Sequence, residues 1–190
     1  MAMVVSLYET LEKIGKKRRT DEKVQALRQY DSVPLRIILQ GAFDPNVQWM
    51  LPEGIPPYTP NKLVDQEHVL IREAEKIRYF VKGFYDNLPQ AKREMLFVEM
   101  LERVSEKDAV LLCSIKDKKL PFPGITAEQI IEALPGLLPE NVKYPQLKNN
   151  YYSPKGKKWY YNPEDNTEQQ FEEGTQPENW VKGRLPKNDE

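Results

Sequence analysis

Histidine and cysteine are almost missing from this 190-residue chain: His68 and Cys113 stand alone. That scarcity excludes much chemistry. A zinc site of the Cys/His type needs three or four such ligands, so one chain cannot build it. A Ser–His–Asp triad would have to recruit His68, and there is no Gly-x-Ser-x-Gly elbow to go with it. The nine glycines form neither a Gly-x-Gly-x-x-Gly fingerprint nor a phosphate loop. One cysteine makes no internal disulfide, which suits a reducing compartment. Long apolar runs are also lacking, so no membrane span is expected. The start, Met-Ala-Met-Val-Val-Ser-Leu, has too short an apolar stretch for a signal peptide and no basic stretch before it. The expected location is the cytoplasm. A net charge of one sign is missing too: 28 Lys+Arg oppose 29 Asp+Glu. A generic polyanion binder carries a clear basic excess, so any such role falls to local clusters.

What is present suits a hydrated globular protein. The hydrophobic fraction is 39 %, enough for a core, and the charged fraction is 30 %. Helix signals open the chain. Ser6 and Glu9 have capping-box spacing, and Leu7, Leu11 and Ile14 share a face. Gly15 and Lys16-Lys17-Arg18-Arg19 close this helix, with cations at the negative dipole end. A second helix is predicted from Thr20 or Asp21 to Tyr30. A third starts near Pro34 and stops at Gly41. Further helices are predicted from about Asp65 to Val81 and from Asn87 to about Val104. Two more are capped by Ser105–Asp108 and Thr126–Gln129. The Asn87–Val104 helix is apolar nearly all round, the mark of a central helix. Lys116 to Lys119 reads as a C-terminal cap or rim. His68 reads as exposed, and Cys113 as an inert core thiol.

Residues 44–61 break the pattern, holding five of the 16 prolines. Proline removes a backbone donor and pushes its predecessor to extended conformations. Yet Val47, Trp49, Met50, Leu51, Ile55 and Tyr58 make the segment too apolar for a free linker. It reads as an extended arm lying on the helices. Alternatively it is a partner anchor, because aromatic residues dominate interface energetics. Trp49, Met50, Leu51 and Tyr58 are the protein-binding candidates.

The tail differs again. Trp159-Tyr160-Tyr161, an Asn-Pro-Glu-Asp-Asn turn and Thr167 to Phe171 read as a β-hairpin. Basic residues interleave with aromatics here, and bases stack on aromatic faces while cations meet phosphate. The nucleic-acid candidates are Lys16, Lys17, Arg18, Arg19, Lys155, Lys157, Lys158, Trp159, Tyr160, Lys182 and Arg184. Against this, the tail aromatics would also serve as a small module's own core. Residues 1–43 carry net +3 and residues 151–190 net −2, so the tail is not basic overall. The fold class is therefore mainly α: six or seven helices with a proline-rich arm, plus a small C-terminal β-hairpin module. The expected layout is an all-α domain over 1–140 with its arm at 44–61, and a linker over 141–155. A hairpin module over 156–185 and a frayed tail over 186–190 complete it.

Two stretches resemble known sequences. Leu35–Phe43, Asp44-Pro45-Asn46-Val47 and Leu51-Pro52-Glu53-Gly54-Ile55-Pro56-Pro57-Tyr58 begin the first. Arg93-Glu94, Phe97, Leu101-Glu102, Lys116-Asp117-Lys118-Lys119-Leu120 and Glu132-Ala133-Leu134-Pro135-Gly136-Leu137-Leu138-Pro139 continue it. Together they resemble an uncharacterised helical family of T-even-like tailed phages, over about residues 6–139. The second is Lys158-Trp159-Tyr160-Tyr161-Asn162, Phe171-Glu172-Glu173-Gly174, Pro177 and Trp180-Val181-Lys182-Gly183-Arg184-Leu185. It is similar to a module appended to some phage HNH-type homing endonucleases, where it helps contact DNA. The nuclease histidines have no counterpart here, so only the accessory module carries over. The resemblances imply a phage protein but carry no function for the helical part. With the missing catalytic residues and the balanced charge, the expectation is a non-catalytic phage accessory protein in the host cytoplasm that binds a host or phage protein. The alternatives are a nucleic-acid-associated factor and a minor virion or assembly component. No cofactor, metal or membrane partner is implied.

Overall fold

The computed structural model describes residues 5–63, 66–140, 142, 144, 157–162, 167–172 and 181–182. The chain divides into two compact units, residues 1–149 and 150–190. The first is mainly α. Its seven helices among the described residues are α1 (Leu7–Gly15), α2 (Thr20–Gln29), α3 (Val33–Phe43), α4 (Val69–Glu73), α5 (Gln90–Arg103), α6 (Glu106–Lys116) and α7 (Ala127–Ala133). A 3-10 helix, Ala74–Phe80, continues directly from α4.

Local capping sets most of the starts. Ser6 accepts the Glu9 N–H, Ser32 that of Leu35, Ser105 that of Asp108 and Thr126 that of Gln129. Each satisfies a backbone donor that has no partner within its own helix. Gln129 returns a bond to the Thr126 N–H, completing a capping box. Glu9 does not close the expected box with Ser6; its carboxylate accepts from Lys107 Nζ at 2.8 Å.

The centre of the unit is α6, not α5. Helix α6 packs against α1, α3 and α5, and its Ala109, Leu111, Leu112 and Ile115 are fully buried. Helix α5 buries only Arg93, Phe97, Met100 and Leu101. Met95 is 47 % exposed, and Leu96 and Val98 are half-buried. The run Met95–Val98 is apolar in sequence, but on a helix it spreads over several faces.

Three further expectations give way. Helix α3 does not stop at Gly41 but runs to Phe43. Asp44 is extended, at ψ 115°, because Pro45 disfavours helical backbone before it. The 65–81 segment is not one α-helix. Ala74, Ile77 and Phe80 are all at most 3 % exposed, and that spacing of three is the 3-10 repeat. His68 is half-buried at the start of α4 rather than exposed.

In the second unit, β1 (Lys157–Asn162) pairs antiparallel with β2 (Thr167–Glu172), from Lys157↔Glu172 to Asn162↔Thr167. A two-residue β3 (Val181–Lys182) pairs antiparallel with the other edge of β1, with Tyr160 opposite Lys182. The sheet order is β2-β1-β3. The turn residues 163–166, most of the 141–155 linker and the 186–190 tail lie outside the described residues.

Candidate functional site

The 44–63 segment has no helix and crosses the helical unit, tied along its length. Trp49 makes the first tie. Its indole N–H donates to the Gly41 carbonyl at 3.0 Å. A Cβ at Gly41 would lie 3.0 Å from Trp49 Cζ2, so glycine here makes room for the ring. Trp49 also forms an isolated antiparallel bridge with Val81. Met50 N–H donates to Phe80 O at 2.8 Å, and Lys82 N–H to Gln48 O at 2.9 Å.

Side chains on or just after α5 and α6, with Asn61 of the segment itself, make the rest. Gln90 Nε2 donates to Met50 O at 3.1 Å. Lys116 Nζ donates to Pro52 O at 2.7 Å and also meets Asp117 Oδ1. Asp117 Oδ2 accepts the Gly54 N–H at 3.2 Å. Glu102 accepts the Thr59 N–H at 3.0 Å, and Asn61 Nδ2 donates to Arg103 O at 2.9 Å. Lys118 holds the base of the segment. Its Nζ donates to Gly41 O at 2.9 Å and Asp44 O at 2.8 Å. It does so from a left-handed backbone at φ +55°, uncommon for a residue with a side chain. Burial pushes the Lys118 ammonium down to about 8. Lys116 to Lys119 is thus more than a solvated helix end: Lys116 is buried, and two of its lysines grip backbone carbonyls.

The predicted anchor residues therefore face partly inward. Trp49, Leu51 and Tyr58 are half-buried and pack on the core, and Met50 is half-buried too. Burial, then the neighbouring Cys113 and Glu106, raise the Tyr58 hydroxyl above its ordinary value. Burial likewise pushes the Cys113 thiol up to about 11, which keeps it protonated and inert at neutral pH. The outward apolar side chains of this segment are others: Ile55 is 61 % exposed and Leu63 73 %.

The basic candidates separate into two groups. Lys16, Lys17, Arg18 and Arg19 are all exposed at the end of α1. Lys16 pairs with Glu12 at 3.0 Å, and Arg19 grips Asp21 with two bonds of 3.2 and 2.9 Å. Among the described residues, Lys17 and Arg18 form no ion pair. Lys157, Lys158, Trp159 and Tyr160 lie on β1 and Lys182 on β3. Lys155 and Arg184 lie outside the described residues.

Three buried polar groups escape sequence reasoning. Arg93, 1 % exposed, donates to the Tyr79, Tyr85 and Leu88 carbonyls at 2.7, 3.2 and 3.0 Å. Lys23 reaches Gly124 O across 101 residues. Asp108 is fully buried on α6, yet its Oδ1 accepts the Tyr8 N–H of α1 at 3.0 Å. Its Oδ2 has no hydrogen-bond partner, and burial pushes the carboxyl up to about 6. The only sequence signal for these is position: each charge falls on the apolar face of its helix.

Among the described residues, no group of three or more His, Cys, Asp or Glu could hold a metal ion. No helix there is long and apolar enough to cross a membrane. Nothing among curated proteins or solved structures matches the chain. A family match does cover residues 10–121, more than half of the sequence, and runs from within α1 past the end of α6, including the tied 44–63 segment. The chain belongs to this family of unknown function, DUF6433.

Proposed function

We propose that this is a non-catalytic accessory protein of a tailed phage, acting in the host cytoplasm by binding a host or phage protein. Its 44–63 segment is the contact strap, and the C-terminal strands form an accessory module. One observation carries the reading: the strap is tied down at many points yet leaves Ile55 61 % and Leu63 73 % exposed. A segment already fixed in place loses little conformational entropy when a partner covers it. Exposed aliphatic side chains on such a segment are a favourable contact. The test is capture from infected-cell extract with the full chain as bait, compared with the double variant Ile55→Glu/Leu63→Glu. The expected outcome is loss of a specific captured protein with unchanged thermal melting. Capture of the same proteins by both baits would sink the strap as the contact.

A second reading is a nucleic-acid contact through Lys16–Arg19 and the C-terminal module. It is supported by the exposure of all four basic side chains and by Lys17 and Arg18 lacking ion pairs among the described residues. Binding to duplex DNA that weakens steeply with salt, and is lost in Lys17→Gln/Arg18→Gln, would favour it. A virion role is checked by proteomics of purified particles.

A further inference from the structure

The turn between the 3-10 helix and α5 is held from beneath by a buried cation. Gly83 sits at φ +102° with nothing within 4 Å of a Cβ position, and its N–H donates to Asp86 Oδ1 at 2.7 Å. Leu88 N–H donates to Tyr85 O at 3.0 Å. Arg93 then binds the Tyr79, Tyr85 and Leu88 carbonyls from below. Among the described residues it has no carboxylate partner. Its guanidinium is committed to shaping this turn.

The shaped turn displays aromatic rings. Phe84 is 60 % and Tyr85 47 % exposed. The Tyr85 ring lies 4.4 Å from that of Tyr79, which fixes its orientation. The Arg78 guanidinium sits 5.8 Å from the centre of the Phe84 ring. Residues 76–85 contain Lys76, Arg78 and Lys82 and no carboxylate. Lys76 pairs with Glu73 at 3.0 Å. Arg78 and Lys82 are exposed and form no ion pair among the described residues. Asp86, which follows, spends Oδ1 on the Gly83 N–H.

Exposed aromatic faces beside unpaired cations match one ligand chemistry well. An unpaired nucleotide offers a free π-face and a phosphate together, whereas a duplex hides its base faces in the stack. A protein hot spot would accept the rings but would have to supply acidic groups for both cations. We propose that the 82–85 turn is a stacking platform for single-stranded nucleic acid, with Phe84 and Tyr85 taking bases and Arg78 and Lys82 taking phosphates. This site is distinct from the Lys16–Arg19 cluster. It adjoins the strap, because Lys82 N–H donates to Gln48 O, but it uses none of the strap's exposed side chains.

The test is fluorescence anisotropy of the full chain with labelled oligothymidine and with a duplex, at about 50 and about 200 mM salt. The single strand should bind more tightly than the duplex. Phe84→Ala should weaken single-strand binding roughly tenfold, as loss of one stacked base does. Arg78→Gln and Lys82→Gln should each lower the salt slope by about one. Circular dichroism melts accompany each variant, and Lys82→Gln, fully on the surface, keeps the test alive if Phe84→Ala melts early. No single-strand binding at the lower salt overturns the proposal. So does unchanged affinity in Phe84→Ala and Lys82→Gln, or binding abolished only by Lys17→Gln/Arg18→Gln. Loss of a captured protein in Phe84→Ala without any oligonucleotide binding would mark the turn as a protein contact and overturn it equally.

Discussion

Asp108 joins two helix starts, one through its carboxyl and one through its backbone N–H. Its own N–H is capped by Ser105, and its Oδ1 caps Tyr8 at the start of α1. An anion near two helix N-termini is favoured by the dipoles, but full burial and the unpartnered Oδ2 oppose the charge. Burial wins, with Glu9 and Glu67 adding to it, and the carboxyl rises from 3.8 to about 6. The sign follows from proton counting. Below about pH 4 the carboxyl is protonated both folded and unfolded, so it costs nothing. Between pH 4 and 6 the folded state holds the proton that the unfolded chain has released, so stability falls as pH rises. Above pH 6 the full penalty remains, about 1–3 kcal/mol at ~1.4 kcal/mol per pKa unit. Asp108→Asn keeps an acceptor for the Tyr8 N–H and removes the charge. Urea unfolding at pH 7.5 should show the variant more stable by about 1–2 kcal/mol, with the gain gone at pH 4. A less stable variant at pH 7.5 would mean that the ionised form holds the two helices together.

At the scale of elements, one arginine organises a whole turn. Arg93 lies on the buried face of α5, and its three carbonyl partners span residues 79–88. Arg93→Met preserves most of the volume but removes the guanidinium from all three carbonyls. Tyr85 O keeps the Leu88 N–H, and the part-buried Tyr79 and Leu88 carbonyls lose this donor. A buried acceptor without a partner costs about 1–3 kcal/mol, and rearrangement recovers part of it. The variant should lose about 2–4 kcal/mol and show faster amide exchange over residues 79–88. Unchanged exchange there would show the turn to be held by the Gly83–Asp86 and Tyr79–Tyr85 contacts instead. Arg93 also marks where the sequence stops being legible. Ser6, Ser105 and Thr126 announce their helices because a cap and its partner lie three residues apart, well within a reading window. The apolar spacing of Leu7, Leu11 and Ile14 is equally local. A charged residue on a helix reads as surface, and only its distant partners reveal otherwise. Lys116 binds Pro52, 64 residues away, and Lys118 binds Gly41, 77 residues away. Gly41 reads as a helix stop until Trp49 is seen lying on it. The strap was legible from its prolines, while which of its side chains face outward was not. Phe84 and Tyr85 gave no signal, since exposure is decided by a turn that Arg93 shapes from another element.

The first unit closes on itself from end to end. Helices α1 to α3 come first, yet they are tied to its last residues. Lys23 reaches Gly124, Arg28 reaches the carbonyls of Glu132 and Ala133 at the end of α7, and Gln40 Nε2 donates to Leu137 O at 3.1 Å. Gly15 and Gly124 meet so closely that a Cβ on Gly124 would collide with Gly15 O. The family match ends at residue 121, but the core does not. Ile125, Ile130, Leu134, Leu137 and Leu138 are each at most 8 % exposed. Burying such a side chain contributes about 1.5–3 kcal/mol, so these five supply about 7–15 kcal/mol. That is the size of a whole domain's net stability, about 5–15 kcal/mol. Residues 1–149 alone should therefore give a helical circular dichroism spectrum and one cooperative urea transition. Residues 1–121, though they span the family match, should have lost most of that transition. The missing segment takes with it α7, against which α2 packs most, and leaves α2 little but α1 to cover its buried residues, Val24 and Leu27 among them. Equal unfolding midpoints for the two fragments would show that α1 to α6 are sufficient and that α7 only decorates them.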